Sequence, residues 1–154
     1  NNFIDYILTK KIMEHEYPGD QVFDRIEELC ERGDEYMEIE KYRPALKKFW
    51  KAFDLLPEPK TQYPAGTWLL VSIGDINFQV GNYKGGVETL NRAKTFFEAA
   101  GNPFLHFRLA QCYFEEGDQT SAIKEFELAF AEDGAAVFED EDPKYWDFFE
   151  SNRL

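Results

Sequence analysis

The chain has 154 residues, the size of one ordinary domain with a substantial core, and its 17% aromatic content argues against disorder. Its 17 basic and 30 acidic residues give a net charge of −13, which disfavours nucleic acid and anionic membranes as partners and favours a basic protein or peptide. No apolar run approaches the roughly 18 residues that span a bilayer, and no signal-peptide pattern opens the chain, so we expect a cytoplasmic protein. The alternative interpretation of the charge is that it only maintains solubility.

The pattern along the chain predicts paired helices after a distinct first segment. Residues 1–19 carry apolar groups at helical spacing and predict an N-terminal arm or short helix. Pro57, Pro59 and Pro64 indicate one long loop, and Gly81 and Gly117 each supply the left-handed residue that ends a helix. Apolar stripes predict six helices, at about 20–39, 43–56, 67–80, 84–99, 103–116 and 120–132.

A seventh helix is predicted at 142–151. Asp142 is placed to cap it and Pro143 to occupy its first helical position. The acidic run 139–142 is expected to be a solvated stretch that also supplies this cap. One face of the helix is expected to cover the open end of the preceding pair, because a terminal repeat has no neighbour to bury its exposed side. That face consists of Tyr145, Trp146 and Phe149.

A self-similar segment occurs three times in the chain. The second and third copies are offset by 36 residues (74→110) and the first and second by 41 (33→74), so one connecting loop is longer. A fixed period of this length is typical of helical repeats, in which each unit buries its apolar face against its neighbours. Each copy has small residues where its two helices touch and bulky groups between them. The small residues are Gly33, Gly74, Ala110, Ala45, Gly86 and Ala122, and the bulky ones are Tyr36, Phe49, Leu90, Tyr113 and Phe126.

These residues resemble the tetratricopeptide repeat (TPR) pattern over about 26–134, and Pro57 matches its closing proline. The resemblance implies an all-α fold, a right-handed superhelical stack of three helical hairpins with a C-terminal capping helix and an N-terminal arm or helix. The single domain would divide into an arm at 1–19, repeats at 20–57, 66–100 and 103–134, and a cap at 142–151. A weaker likeness, in size, charge and repeat count, is to small acidic bacterial three-repeat proteins, among them type III secretion chaperones.

The TPR resemblance also implies which side chains line the concave surface. In the first copy they are Glu27, Cys30, Asp34, Met37 and Glu38; in the second, Trp68, Val71, Asp75, Phe78 and Gln79; in the third, Phe104, Phe107, Gln111, Phe114 and Glu115. Acids among aromatic anchors would suit a basic, amphipathic segment. The alternative for Phe78, Phe107 and Phe114 is that they only pack between hairpins. Arg108 is also predicted to be a partner-binding residue. It is the one match to the carboxylate clamp of some TPR proteins, so an acidic peptide end is not expected to bind.

No catalytic, cofactor-binding or metal-binding constellation is predicted. His15 and His106 are far apart in sequence, and neither lies near other ligands at metal-binding spacing, so His106 is expected to be packed. Cys30 and Cys112 are expected to be reduced and buried. Nucleotide-binding and hydrolase motifs do not occur. We therefore expect a protein that is not an enzyme.

Three functions are compatible with these patterns. The first is a dedicated inhibitor, such as the immunity protein of a bacterial toxin, because an acidic groove would capture a basic toxin quickly. The second is a secretion-type chaperone that holds an extended export substrate in the same groove. The third is a structural or assembly adaptor that dimerises through its convex face or its C-terminal helix, with Trp146, Phe149 and the arm at 1–13 in the interface.

Overall fold

The computed structural model describes residues 20–96 and 98–153; the predicted arm at 1–19 lies outside them. All regular structure in this part of the chain is helical, and it contains no strand. Short 3-10 turns at Lys60–Gln62 and Gly134–Phe138 precede the third and seventh helices. None of these helices is long and apolar enough to cross a membrane. The α-helices are Asp20–Glu38 (α1), Tyr42–Leu55 (α2), Pro64–Gln79 (α3), Tyr83–Ala93 (α4), Pro103–Glu115 (α5), Gln119–Asp133 (α6) and Pro143–Asn152 (α7).

The helices form three hairpins, α1/α2, α3/α4 and α5/α6, which stack through α2–α3 and α4–α5 contacts. Glycine allows the helices within a hairpin to touch: a Cβ at Gly33 would lie 2.3 Å from the Phe49 ring, and Gly74 is equally crowded. A Cβ at Gly86 would lie 3.7 Å from the Gly74 carbonyl of its own hairpin and 2.6 Å from the Cys112 sulfur of the following hairpin. Small residues therefore set the spacing between hairpins as well as within them.

The three hairpin turns share one backbone geometry. After α3, the amide of Gly81 donates to the Phe78 carbonyl and the amide of Asn82 to the Asn77 carbonyl, which is the Schellman arrangement. Gly81 and Gly117 take positive φ angles of 80° and 84°, so their predicted role in ending helices is confirmed. The first turn uses Glu40 at φ 57°, although a side chain there is strained.

The fourth helix is shorter than predicted, since it ends at Ala93 and not at about residue 99. The chain turns after Ala93 and places Phe96 against Phe53, with ring centroids 5.8 Å apart. Phe96 also lies over Gly66, where a Cβ would come within 2.6 Å of the ring. Packing of one aromatic side chain on the neighbouring hairpin thus outweighs local helix propensity.

The apolar core has two parts. The larger part joins the first two hairpins and includes Leu105, Leu109 and Cys112 of α5, and the smaller joins α5, α6 and α7. The predicted cap is confirmed: Asp142 accepts a hydrogen bond from the Lys144 amide, and α7 begins at Pro143. Tyr145 and Phe149 are buried on this face, where Phe149 lies 6.1 Å from the Phe126 ring.

Candidate functional site

A cleft opens between the first two hairpins on the surface that the TPR resemblance assigns to the groove. It encloses about 230 Å³ and gathers side chains from α1, α2 and α3. On α1 and α3 the contributing positions are three or four residues apart, so each helix presents them on one face. Five predicted partner-binding residues meet here, together with Phe49 and Ser72. The lining is Asp34, Met37, Glu38, Phe49, Trp68, Ser72 and Asp75.

Aromatic and apolar side chains form part of the cleft wall. Trp68 meets the buried Phe49 ring edge-on, with centroids 5.5 Å apart. Phe49 holds this position because Gly33 has no side chain to displace it. Trp68 and Met37 are half-buried, so each has packed and solvent-accessible atoms. Trp68 is therefore only partly exposed, because its ring packs on Phe49 of the first hairpin.

The polar part of the lining is acidic. Glu38 is exposed at the rim, whereas Asp34 and Asp75 are half-buried. Burial, followed by the nearby carboxylate of Asp34, raises the pKa of the Cys30 thiol well above its ordinary value. Burial and then the carboxylates of Glu40 and Asp75 raise the pKa of Tyr42 in the same way. In both groups burial has the largest effect, and the neighbouring carboxylates act in the same direction.

The side chain of Arg108 forms the boundary of the cleft toward the third hairpin. Its Nε lies 2.9 Å from Asp75 Oδ1, an ion pair without the alignment of a hydrogen bond. Its Nη1 donates to Gln111 at 2.7 Å and to Glu141 at 3.2 Å. The guanidinium lies 4.6 Å from the centroid of the Phe78 ring. Arg108 therefore neutralises one cleft carboxylate and ties α5 to the chain before α7.

The predicted groove is closed on the third hairpin. This corrects the sequence-based placement of four residues there, Phe107, Arg108, Gln111 and Phe114. Phe107 and Gln111 are 1% and 0% exposed, because Phe138 packs on Phe107 and Glu141 accepts a hydrogen bond from Gln111. Arg108, at 6%, is buried as well. Phe114 is half-buried and packs against rings of α7. Phe107 and Phe114 therefore follow the alternative interpretation, in which these rings only pack inside the protein.

Glu115 is held by the capping helix. It accepts a hydrogen bond from the Tyr145 hydroxyl at 2.7 Å and pairs with Lys144 at 2.7 Å. Burial alone would raise the pKa of Glu115, but these two partners outweigh it and lower the pKa. The sequence suggested that Glu115 shares a surface with Asp34 and Asp75. Its carboxylate instead stabilises the cap and lies outside their cavity.

The remaining predicted residues lie around the cleft. Glu27 is half-buried on α1, about two turns before the first cleft residue on that helix. Phe78 is half-buried under Arg108. Gln79 is exposed and donates to Asp75 Oδ1 at 3.3 Å. Phe104 is 38% exposed, and its ring centroid lies 5.0 Å from the Arg108 guanidinium.

A second buried polar cluster lies away from the cleft, between α5 and α6. His106 Nδ1 is 2.6 Å from Glu125 and its Nε2 is 2.9 Å from the Ala100 carbonyl. Both partners are acceptors, so the ring can satisfy both contacts only as an imidazolium. The hydrogen bond to Glu125 raises the pKa of His106, in agreement with that state. Lys94 also pairs with Glu125. Among the described residues no group of ligands is arranged to hold a metal ion.

No family model matches the chain, and no curated protein matches it in sequence. Among solved structures, it is similar to the crystal structure of PcrH from Pseudomonas aeruginosa, with a TM-score of 0.64 at 19% identity. The match covers 83% of this chain and 91% of PcrH. The fold is TPR-like. This likeness, together with the helical hairpins, confirms the predicted all-α repeat stack.

Sequence reasoning missed three residues of the site. Phe49 was assigned only to the interior of its hairpin, and Ser72 was not assigned to the concave surface. Glu141 was expected to be solvated, yet it is half-buried against Arg108. A basic residue on the otherwise apolar helix α5 was a signal that a carboxylate partner must lie elsewhere in the chain, because a buried guanidinium requires one.

Proposed function

We propose that this protein is a non-enzymatic protein-binding module whose cleft holds an extended segment of a basic partner. The observation that carries the proposal is the cleft between α1 and α3, where Asp34, Glu38 and Asp75 lie beside Trp68 and Met37. Aromatic anchors with a polar rim are typical of peptide-binding surfaces. The net charge of −13 favours encounter with a positively charged partner.

The size of the cleft favours a chaperone that holds a linear segment. At about 230 Å³ it has room for one or two side chains, and Arg108 limits its extension along the stack. PcrH, with which this chain shares its fold, is a type III secretion chaperone. A segment held in this way would be kept from premature folding or aggregation.

Inhibition of a basic toxin, as by an immunity protein, is the second candidate. The observation that favours it is the excess of 13 acidic over basic charges, which would accelerate capture of a basic enzyme. Such an inhibitor would require a folded toxin domain, because it must cover an active site. The assembly-adaptor alternative has less support, since Phe149, which it assigned to an interface, is 1% exposed.

Selection from a library of short random peptides on the immobilised full-length chain tests the proposal. We expect the selected peptides to be rich in Lys or Arg and to bind more weakly as salt rises. Glu38→Lys should weaken binding by about tenfold or more, a loss of about 1.4 kcal/mol. Glu88→Lys is the matched control, because Glu88 is exposed on α4 outside the cleft and the charge change is identical.

The outcomes separate the candidates. Failure to select any peptide, together with capture of a folded basic domain, would favour the inhibitor. Equal losses in the two charge-reversal variants would contradict binding in the cleft. Neither variant alters a buried ion pair, unlike changes at Asp75 or Glu115, which would also disturb Arg108 or Lys144.

A further inference from the structure

The composition of the cleft lining restricts which side chain can enter it. Among the seven lining residues, three carry carboxylates and none is lysine or arginine. An acidic side chain would meet like charge. A purely apolar side chain would remove water from carboxylates without replacing their hydrogen bonds, which costs free energy. A long cationic side chain avoids both penalties, because its apolar stem can lie on Met37 and Trp68 while its head reaches the acids.

The neighbouring Arg108 shows the same recognition within the protein itself. Its guanidinium lies 4.6 and 5.0 Å from the centroids of the Phe78 and Phe104 rings, and it pairs with Asp75 and Glu141. The cleft, which Asp75 also lines, offers a comparable set, with the aromatic Trp68 and the carboxylates of Asp34 and Glu38 in one lining. The two sites thus share the carboxylate of Asp75, and Arg108 already occupies one of them.

We propose that the cleft binds the side chain of a single lysine or arginine, presented by an extended segment of the partner. Because Arg108 already neutralises Asp75, the head of the incoming side chain lies toward the Asp34 and Glu38 end. Glu38 is exposed at the rim and is therefore the carboxylate that a partner meets first. This inference rests on the proposed function and adds the chemical identity of the anchor.

Peptides selected on the full-length protein provide the test. Each lysine is replaced in turn by norleucine and each arginine by citrulline, which retain the stem and remove the charge. We expect one position to account for about a tenfold or greater loss of affinity and the others for much less. In the Glu38→Gln variant the same replacement should cost markedly less, because its carboxylate partner has been removed. Glu88→Gln, the matched control, should leave the cost unchanged.

Three results would overturn the inference. If every cation contributed a similar small amount, the peptide would be held by the general negative field; binding would persist, and the proposed function would stand without the anchor. If the key position lost as much affinity in Glu38→Gln as in the unaltered protein, the cation would lie elsewhere. A complete absence of bound peptides and of bound folded domains would remove the proposed function, and the anchor with it.

Discussion

The first two hairpins and the third hairpin present the same repeat positions to opposite environments. Asp34 and Asp75 line an open cleft, whereas the equivalent Gln111 is fully buried. Met37 borders the cleft, whereas the equivalent Phe114 packs on α7 at 4.9 Å from the Phe148 ring. The difference arises because α7 and the turn before it supply the neighbour that the last hairpin otherwise lacks. A repeat position therefore determines which surface a side chain faces. The next element along the stack determines whether that surface is open to solvent.

The largest expected effect comes from removing the central aromatic side chain of the capping helix α7. Phe149→Ala should lower the free energy of unfolding by about 3–5 kcal/mol, because the buried ring contacts several others and leaves a cavity. Urea denaturation measures the loss. Leu128→Ala on α6 is the control; its side chain is exposed, so a cost within about 1 kcal/mol is expected. Similar losses in both variants would mean that α7 does not seal the third hairpin.

Breaking the boundary between the two regions should have the next largest effect. Arg108→Met leaves the carboxylates of Asp75 and Glu141 without their shared cation, and these retain only partial access to water. We expect a loss of about 1–3 kcal/mol in unfolding free energy. Arg25→Met breaks an exposed pair with Glu28 and should cost less than about 1 kcal/mol. An equal cost would show that Arg108 does not connect the hairpins.

Crowding the first hairpin tests the cleft side of the comparison. Gly33→Ala should cost about 1–3 kcal/mol, because the new Cβ would lie 2.3 Å from the Phe49 ring that supports Trp68. Gly101→Ala is the control, since a Cβ there has no neighbour within 4 Å. Thermal unfolding of both variants gives the comparison. A further Phe49→Leu change in the Gly33→Ala background should recover part of the stability, and no recovery would contradict the proposed clash.

The pH dependence of stability tests the buried cluster of His106 and Glu125 between α5 and α6. Its hydrogen bond to Glu125 raises the pKa of His106, so the stabilisation is fully present below the ordinary histidine pKa of about 6.5. It is lost as pH rises through the raised value in the folded protein. Denaturant unfolding between pH 6 and 9 should show this decline. His106→Gln should flatten it, whereas His15→Gln should retain it; an unchanged slope in His106→Gln would exclude the imidazolium.

The smallest expected effect concerns the first turn. Glu40→Gly should raise the free energy of unfolding by about 0.5–1 kcal/mol, because glycine removes the strain at φ 57° but increases the freedom of the unfolded chain. Gly81→Ala, the converse change in the second hairpin, should lower stability by a similar amount. Differential scanning calorimetry resolves both. Destabilisation by Glu40→Gly would indicate that the glutamate makes contacts that outweigh its backbone conformation.

Much of the architecture could be predicted from local patterns. Helical periodicity gave the number and order of the helices, and Gly81 and Gly117 marked two turns because few other residues tolerate their φ angles. Gly33 and Gly74 marked where helices touch. The predicted end of α4 was wrong, because the true end depends on how Phe96 packs against Phe53, a contact between segments distant in sequence.

The candidate site was predicted less completely. The repeat positions gave the cleft residues on α1 and α3 but could not distinguish open from covered positions in α5. Burial of Gln111 depends on Glu141, which lies 30 residues away and is supplied by the chain before α7. A partner-binding role for the cleft residues stays a prediction until a ligand is measured.

The amino-acid sequence by itself determined the helical hairpins, their turns, the apolar face of the last helix and the negative charge, because period, glycine placement and composition are local or additive properties. The tertiary structure decided where the surface is open. Arg108 is buried only because Asp75 and Phe78 of α3, Glu141 of the chain before α7 and Phe104 of its own helix converge on it. Such convergence requires the stacked hairpins to be in place, since desolvation of a charge is tolerated only where its partners are already positioned.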